Sequence, residues 1–162
     1  MRTTDHPAVG VVGCGYWGKN LVRNFHELGS LTAVCDISQA NLDAMASSFP
    51  VRATRHFDEM LSMDNLHAVV ISAPAAQHYL LAKRALLAGK DVFVEKPLAL
   101  RVEEGEELVH LARKENRILM VGHLLHYHPA ISELRRILHS GELGKIEYIS
   151  SSRLNLGKLF IH

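Results

Sequence analysis

Cysteine is scarce in this chain: only Cys14 and Cys35 occur, too few for a disulfide framework. That scarcity fits a reducing compartment, and the cytoplasm is the expected location. An excess of either charge is missing too. Eighteen basic side chains stand against seventeen acidic ones, a formal net charge of +1. The basic surplus of a general nucleic-acid or acidic-membrane binder is therefore absent, and neither partner is expected. No apolar run approaches the roughly 20 residues of a membrane-spanning helix. The opening residues 1–7 have no apolar core of the signal-peptide kind. Internal repeats and low-complexity linkers are absent as well. What is present is ordinary for a soluble globular protein: 48% apolar and 22% charged residues, in a chain of 162 that can bury one sizeable core.

The hydrophobic period alternates between strand-like and helix-like along the whole chain. Residues 8–12 form a short apolar run ending at a glycine, which suits a strand buried on both faces. Trp17, Leu21, Phe25 and Leu28 then recur at helical spacing, with Gly29 placed as a C-cap. The same reading predicts strands at 31–35, 51–53, 68–72, 91–94, 118–121 and 146–152. It predicts helices at 38–48, 57–61, 77–88, 102–116 and from Pro129 to about residue 139, with a turn at 141–144. Strands alternating with such helices imply right-handed crossovers, and so an α/β fold with a doubly wound parallel sheet.

Gly13-Cys14-Gly15-Tyr16-Trp17-Gly18 follows the first strand and opens the first helix. In this position the first glycine permits a tight turn, and the second lets backbone approach a diphosphate. The third brings helix against strand, while free N–H groups at the helix start face negative charge. The pattern alone is weak evidence, since a purely structural turn could carry it. Asp36 strengthens it. This residue ends the second predicted strand, where a carboxylate accepts hydrogen bonds from an adenosine ribose and repels a 2′-phosphate. NAD is accordingly favoured over NADP. The competing reading makes Asp36 only the cap of the following helix. Cys14 and Cys35 read as small buried filler.

Glu95-Lys96-Pro97 comes directly after the strand at 91–94. A lysine at the carboxyl end of a parallel strand projects into the crevice where ligands bind, and partial burial lowers a lysine pKa readily. From these three residues alone, a solvated lysine beside a proline turn is the favoured reading.

The ordered set of segments is more specific than any one of them. It comprises Gly13 to Gly18, Ser72-Ala73-Pro74 with His78, and Ala88-Gly89-Lys90-Asp91-Val92-Phe93-Val94-Glu95-Lys96-Pro97-Leu98. To these are added the run at 121–130 (VGHLLHYHPA), Gly141-Glu142-Leu143-Gly144 and Arg153-Leu154-Asn155-Leu156-Gly157. Together they resemble the Gfo/Idh/MocA family, the glucose-fructose oxidoreductase and inositol dehydrogenase relatives, leaning toward members that act on nucleotide-activated sugars.

The resemblance implies a Rossmann domain over 6–125, followed over 126–162 by a linking helix and the start of a substrate and dimerisation domain. It implies NAD-dependent hydride transfer to or from a secondary alcohol of a sugar, polyol or sugar nucleotide, with Lys96 as the catalytic or substrate-positioning lysine. Glu95 is expected near the nicotinamide ribose, with a cis peptide before Pro97. Ser72, Pro74 and His78 are expected in a loop flanking the cofactor, and His123 on the substrate side as a second catalytic candidate. The cofactor set expected from glycine loop and resemblance together is Gly13, Gly15, Tyr16, Trp17, Gly18, Asp36, Ser72, Pro74, His78, Glu95 and Lys96.

The chain departs from the family in length. Its final residues 157–162 come just after the second domain's first strand is expected, and the family's Asp-x-x-x-His stretch does not occur. A noncatalytic dinucleotide-binding fragment is therefore the alternative expectation. His123, His126 and His128 are crowded, but spacings of three and two match no recognised zinc pattern, so no metal is expected. Imidazoles lining a crevice and partly exposed packing residues both remain open for them. His162 is expected to be a loose terminus. Ile146, Tyr148 and Ile149 make the predicted last strand a sticky edge, so self-association through that strand is expected.

Overall fold

The computed structural model describes residues 6–152. The motif segment 153–157 and His162 lie outside the described residues. Six strands form one wholly parallel sheet: β1 (Val9–Val12), β2 (Leu31–Cys35), β3 (Arg52–Thr54), β4 (Ala68–Ile71), β5 (Asp91–Val94) and β6 (Leu119–Val121). Their spatial order is β3-β2-β1-β4-β5-β6, so the winding reverses between β1 and β4. This is the doubly wound Rossmann arrangement.

Helices cover both faces. On one, α1 (Gly18–Glu27) and α2 (Gln39–Ser48) supply Leu21, Val22 and Leu42 to a cluster with Val9, Val11, Val34 and Val70. On the other, α3 (Phe57–Leu61), α4 (Ala75–Leu87) and α5 (Val102–Lys114) bring Met60, Leu86 and Leu108 onto Ile71, Val92 and Val94. Val11 and Val12 therefore serve opposite cores, as side chains alternate across a strand. This double burial is why the strands read as continuous apolar runs.

Register then fixes the site. Val12 pairs with Cys35 on one side and Ile71 on the other, Ile71 pairs with Val94, and Val94 with Val121. The next residue on each strand lies in one row at the carboxyl edge of the sheet: Asp36, Gly13, Ser72, Glu95 and Gly122. Loop chemistry gathers there because the strands end together.

Several boundaries differ from the sequence expectation, each for a local reason. The fourth helix starts at Ala75 instead of 77, with Pro74 as its N-cap. α5 ends at Lys114 because Asn116 turns left-handed, at φ 51°. α2 gains a cap, the Ser38 Oγ accepting from the Asn41 N–H at 3.4 Å.

The described residues fall into two compact units, divided between His123 and Leu124. In the second, a 3₁₀ turn at Leu124–Tyr127, which the periodicity does not signal, precedes α6 (Pro129–Ser140). Pro129 opens α6, His128 Nδ1 accepts the Ala130 N–H at 3.2 Å, and Gly141 closes it with φ +75°. The expected strand at 146–152 is not formed: these residues are irregular and exposed. Alternating apolar residues make a strand only beside another strand that completes the hydrogen-bond ladder. None of the described residues does so. Among the described residues, no helix is long and apolar enough to cross a membrane.

Candidate functional site

The glycine loop grows straight out of β1. Gly13 donates its N–H to the Cys35 carbonyl at 2.8 Å and then turns at φ +84°. A Cβ there would meet the Ala73 nitrogen at 2.7 Å, so the residue is hemmed in by backbone as well as left-handed. At Gly18, the first residue of α1, a Cβ would fall 1.8 Å from the Gly13 carbonyl oxygen and 2.5 Å from Ser72 Oγ. Gly15 is the opposite case, with nothing within 4 Å of its missing Cβ. Gly13 and Gly18 thus shape the loop, and Gly15 leaves a bare backbone surface facing open space at the start of a helix. That surface fits a diphosphate. Ser72 ties the next strand to it, donating from Oγ to the Gly13 carbonyl at 2.6 Å.

Asp36 is buried beside this loop. Its Oδ2 accepts the Cys14 N–H at 2.6 Å and the Asn41 Nδ2–H at 3.2 Å, and its Oδ1 accepts the Ser38 N–H at 2.8 Å. The carboxylate therefore buttresses the glycine loop and caps the approach to α2. Oδ1 keeps a second acceptor direction for a ligand hydroxyl. Asn41 is a site residue the sequence reading missed: a single Asn one turn into a helix carries no pattern.

On the other side of the switch point, Glu95 is buried and accepts from Trp17 Nε1 at 2.8 Å, joining the glycine loop to the end of β5. Gly122 leaves room for that carboxylate, since a Cβ there would lie 3.1 Å from Glu95 Oε1. Lys96 is exposed, makes no hydrogen bond or ion pair among the described residues, and precedes a cis peptide to Pro97. An ammonium held on a fixed turn at a strand end, with no internal partner, is available to a ligand. Tyr16 is 80% exposed, with Lys19 Nζ 5.6 Å from its ring centre.

One expected site residue differs from its anticipated loop setting: His78 lies on α4. His78 does not face a ligand space. It is 2% exposed, with Nδ1 2.6 Å from the Pro97 carbonyl and Nε2 2.8 Å from the Ala73 carbonyl. Pro74 acts through the backbone, heading α4. His123 sits exposed just past β6, donating its backbone N–H to the Val121 carbonyl at 2.7 Å. In the second unit, His126 Nδ1 lies 2.8 Å from Arg135 Nη2 and His128 caps α6. Among the described residues, no three His, Cys, Asp or Glu side chains are grouped to hold a metal.

Cys14 and Cys35 are both buried thiols. Burial, and then the neighbouring Asp36 carboxylate, push Cys14 from 9.0 up to about 12 and Cys35 up to about 11. Thiols that stay neutral when folded but ionise when unfolded make stability fall as pH rises above 9. The loss runs at about 1.4 kcal/mol per pH unit per thiol. Between pH 8 and 10 the wild type should lose roughly 2–3 kcal/mol more than a Cys14→Ala/Cys35→Ala variant. Urea unfolding reads this directly, and parallel pH profiles would contradict it.

Known proteins share this framework. A UDP-N-acetylglucosamine 3-dehydrogenase of Acidithiobacillus ferrooxidans is 30% identical over 149 residues, covering 92% of this chain and 46% of that protein. The crystal structure of GenD2 from gentamicin A biosynthesis, in complex with NAD, superimposes with a TM-score of 0.82 at 27% identity, over 88% of this chain and 41% of that one. Biliverdin reductase from Synechocystis, with biliverdin and NADP+, gives 0.74 at 30% identity, over 82% and 42%. This chain spans less than half the length of each of these three. Residues 8–123 match the profile of the oxidoreductase family with an NAD-binding Rossmann fold, and the chain belongs to that family, Gfo/Idh/MocA.

Proposed function

We propose that this chain binds NAD across the switch point and carries Lys96 as the proton-handling residue for oxidation or reduction of a secondary alcohol. The observation that carries the reading is the open face of Gly15, fixed between two sterically locked glycines and flanked by the buried Asp36 carboxylate.

The residues divide the work by position. Backbone N–H groups at the start of α1 hold the diphosphate against Gly13, Gly15 and Gly18. Asp36 Oδ1 takes an adenosine ribose hydroxyl, and its charge disfavours a 2′-phosphate. Tyr16 and Trp17 flank the crevice, and Ser72 and Pro74 form its floor on the β4 side. Glu95, held by Trp17, sits toward the nicotinamide ribose. When bound, the nicotinamide supplies reversible hydride acceptance at its C4. Lys96 Nζ, as the neutral amine, takes the hydroxyl proton during oxidation and, as the ammonium so formed, returns it during reduction, with His123 on the substrate side. The substrate class is a sugar, polyol or sugar nucleotide, in line with the UDP-N-acetylglucosamine 3-dehydrogenase that this chain resembles.

NADH formation with polyols or sugar nucleotides tests this reading. Lys96→Met should lower turnover by about 10²–10⁴-fold, far more than it changes NAD affinity. Equal turnover in both proteins would remove Lys96 from its role. Saturable NAD binding with no turnover on any hydroxyl substrate would favour a noncatalytic dinucleotide-binding role instead. Self-association also belongs to the proposal, through the exposed Ile146, Tyr148 and Ile149. Light scattering that gave a strict monomer at tens of micromolar would remove that part.

A further inference from the structure

We infer that His78 is a positioning residue that locks the cofactor loop to the lysine turn, and that it never touches the cofactor itself. This inference rests on the proposed dinucleotide site and deepens it.

The geometry is specific. His78 lies on the first turn of α4, and its ring is almost completely enclosed. One ring nitrogen is 2.6 Å from the Pro97 carbonyl, and the other is 2.8 Å from the Ala73 carbonyl. Both partners are backbone carbonyls, so each can be served only by a ring nitrogen that carries a proton: a neutral ring donates to one of them, and an imidazolium donates to both at once. Ala73 lies beside the glycine turn, where a Cβ at Gly13 would meet the Ala73 nitrogen at 2.7 Å, and Pro97 follows Lys96 in the chain. A continuous path therefore runs from glycine turn to Ala73, through the imidazole, to Pro97 and Lys96. Burying a histidine among apolar α4 and sheet residues is unfavourable unless its polar atoms are satisfied. A Leu would fill the space without desolvating a polar ring. What the imidazole adds is directional: two carbonyls from separate loops held at one spacing.

Asp36 anchors the adenosine half of the site from β2, whereas the His78 bridge joins the loops after β4 and β5. Loss of the bridge should therefore loosen the nicotinamide half alone. A merely structural role would weaken both halves together.

Calorimetry with NAD and with ADP, on wild type, His78→Phe and His78→Gln, separates these cases. In His78→Phe, NAD affinity should fall about tenfold, as expected for losing one or two buried hydrogen bonds, while ADP affinity stays within about twofold of wild type on the same scale. His78→Gln, which keeps one donor group, should recover part of the loss. Unchanged NAD affinity in His78→Phe, or a parallel fall for both ligands, overturns the inference. If wild type takes up ADP but shows no gain from the nicotinamide half, or takes up neither ligand, the dinucleotide reading has failed instead. Should His78→Phe not fold, proton–nitrogen NMR of the wild-type ring decides. A slowly exchanging ring N–H that shifts with NAD and not with ADP supports the bridge, and one that responds to neither or to both alike overturns it.

Discussion

Gly18→Ala is expected to weaken NAD binding by roughly 100-fold, the equivalent of about 2.8 kcal/mol, and to destabilise the fold as well. The new Cβ would sit 1.8 Å from the Gly13 carbonyl oxygen. That neighbour is backbone, so no rotamer change relieves the overlap, and α1 must move away from β1. Overpacking of this kind costs typically about 1–3 kcal/mol. Displacement of the helix start also moves the N–H groups that face the diphosphate. Gly15→Ala is the informative partner. Its Cβ meets nothing in the protein, so urea unfolding should be unchanged within about 0.5 kcal/mol. NAD affinity should nevertheless fall, because the added methyl occupies the surface reserved for ligand. Equal stability loss in both variants would contradict this division of roles.

Asp36→Ala should produce the second large effect. It strips three donors of their acceptor at once: the Cys14 N–H, the Ser38 N–H and Asn41 Nδ2. Leaving a buried donor unsatisfied costs about 1–3 kcal/mol, and hydrogen bonds to a charged group are worth about 1.5–3 kcal/mol. NAD affinity should drop by about 10–100-fold, through the lost ribose contact and the loosened glycine loop. NADP should respond differently. The carboxylate that opposes a 2′-phosphate is gone, so the NAD-to-NADP affinity ratio should narrow. Calorimetry with both dinucleotides reads the two effects, and an unchanged ratio would mean that Asp36 acts on the loop alone.

The fold was legible wherever both faces of a strand are buried. β1, β2, β4 and β5 announce themselves as short apolar runs because each serves two cores, and the helices between them force parallel pairing. Residues 146–152 show the limit of that reasoning. Their alternation is as good as that of a strand, yet a strand is a pairing, and the pattern of one segment says nothing about its partner. The 3₁₀ turn at Leu124–Tyr127 escaped notice because a four-residue turn has no period.

The site was legible where a residue type is dictated by geometry. Gly13, Gly18 and Asp36 could be placed from sequence because a tight turn, a close helix–strand contact and a charged acceptor each demand one kind of residue. His78 could be named but not understood. Its partners are carbonyls of Ala73 and Pro97, and backbone acceptors leave no trace in a sequence. The same holds for Gly122, whose value lies in the space it leaves for Glu95, and for Asn41, which acts by steadying Asp36. For Asp36 the sequence leaves two readings open, ribose acceptor and helix cap; its bond from the Ser38 N–H matches the cap, whereas its bond from the Cys14 N–H, which buttresses the glycine loop, left no trace in the sequence.

Titrating the wild-type chain with NAD in a calorimeter tests the central claim most directly. Saturable one-site uptake, abolished or strongly weakened by Gly15→Ala without loss of fold, is the expected result. If neither NAD nor NADP is taken up at millimolar concentration by a folded sample, the account of this crevice is wrong.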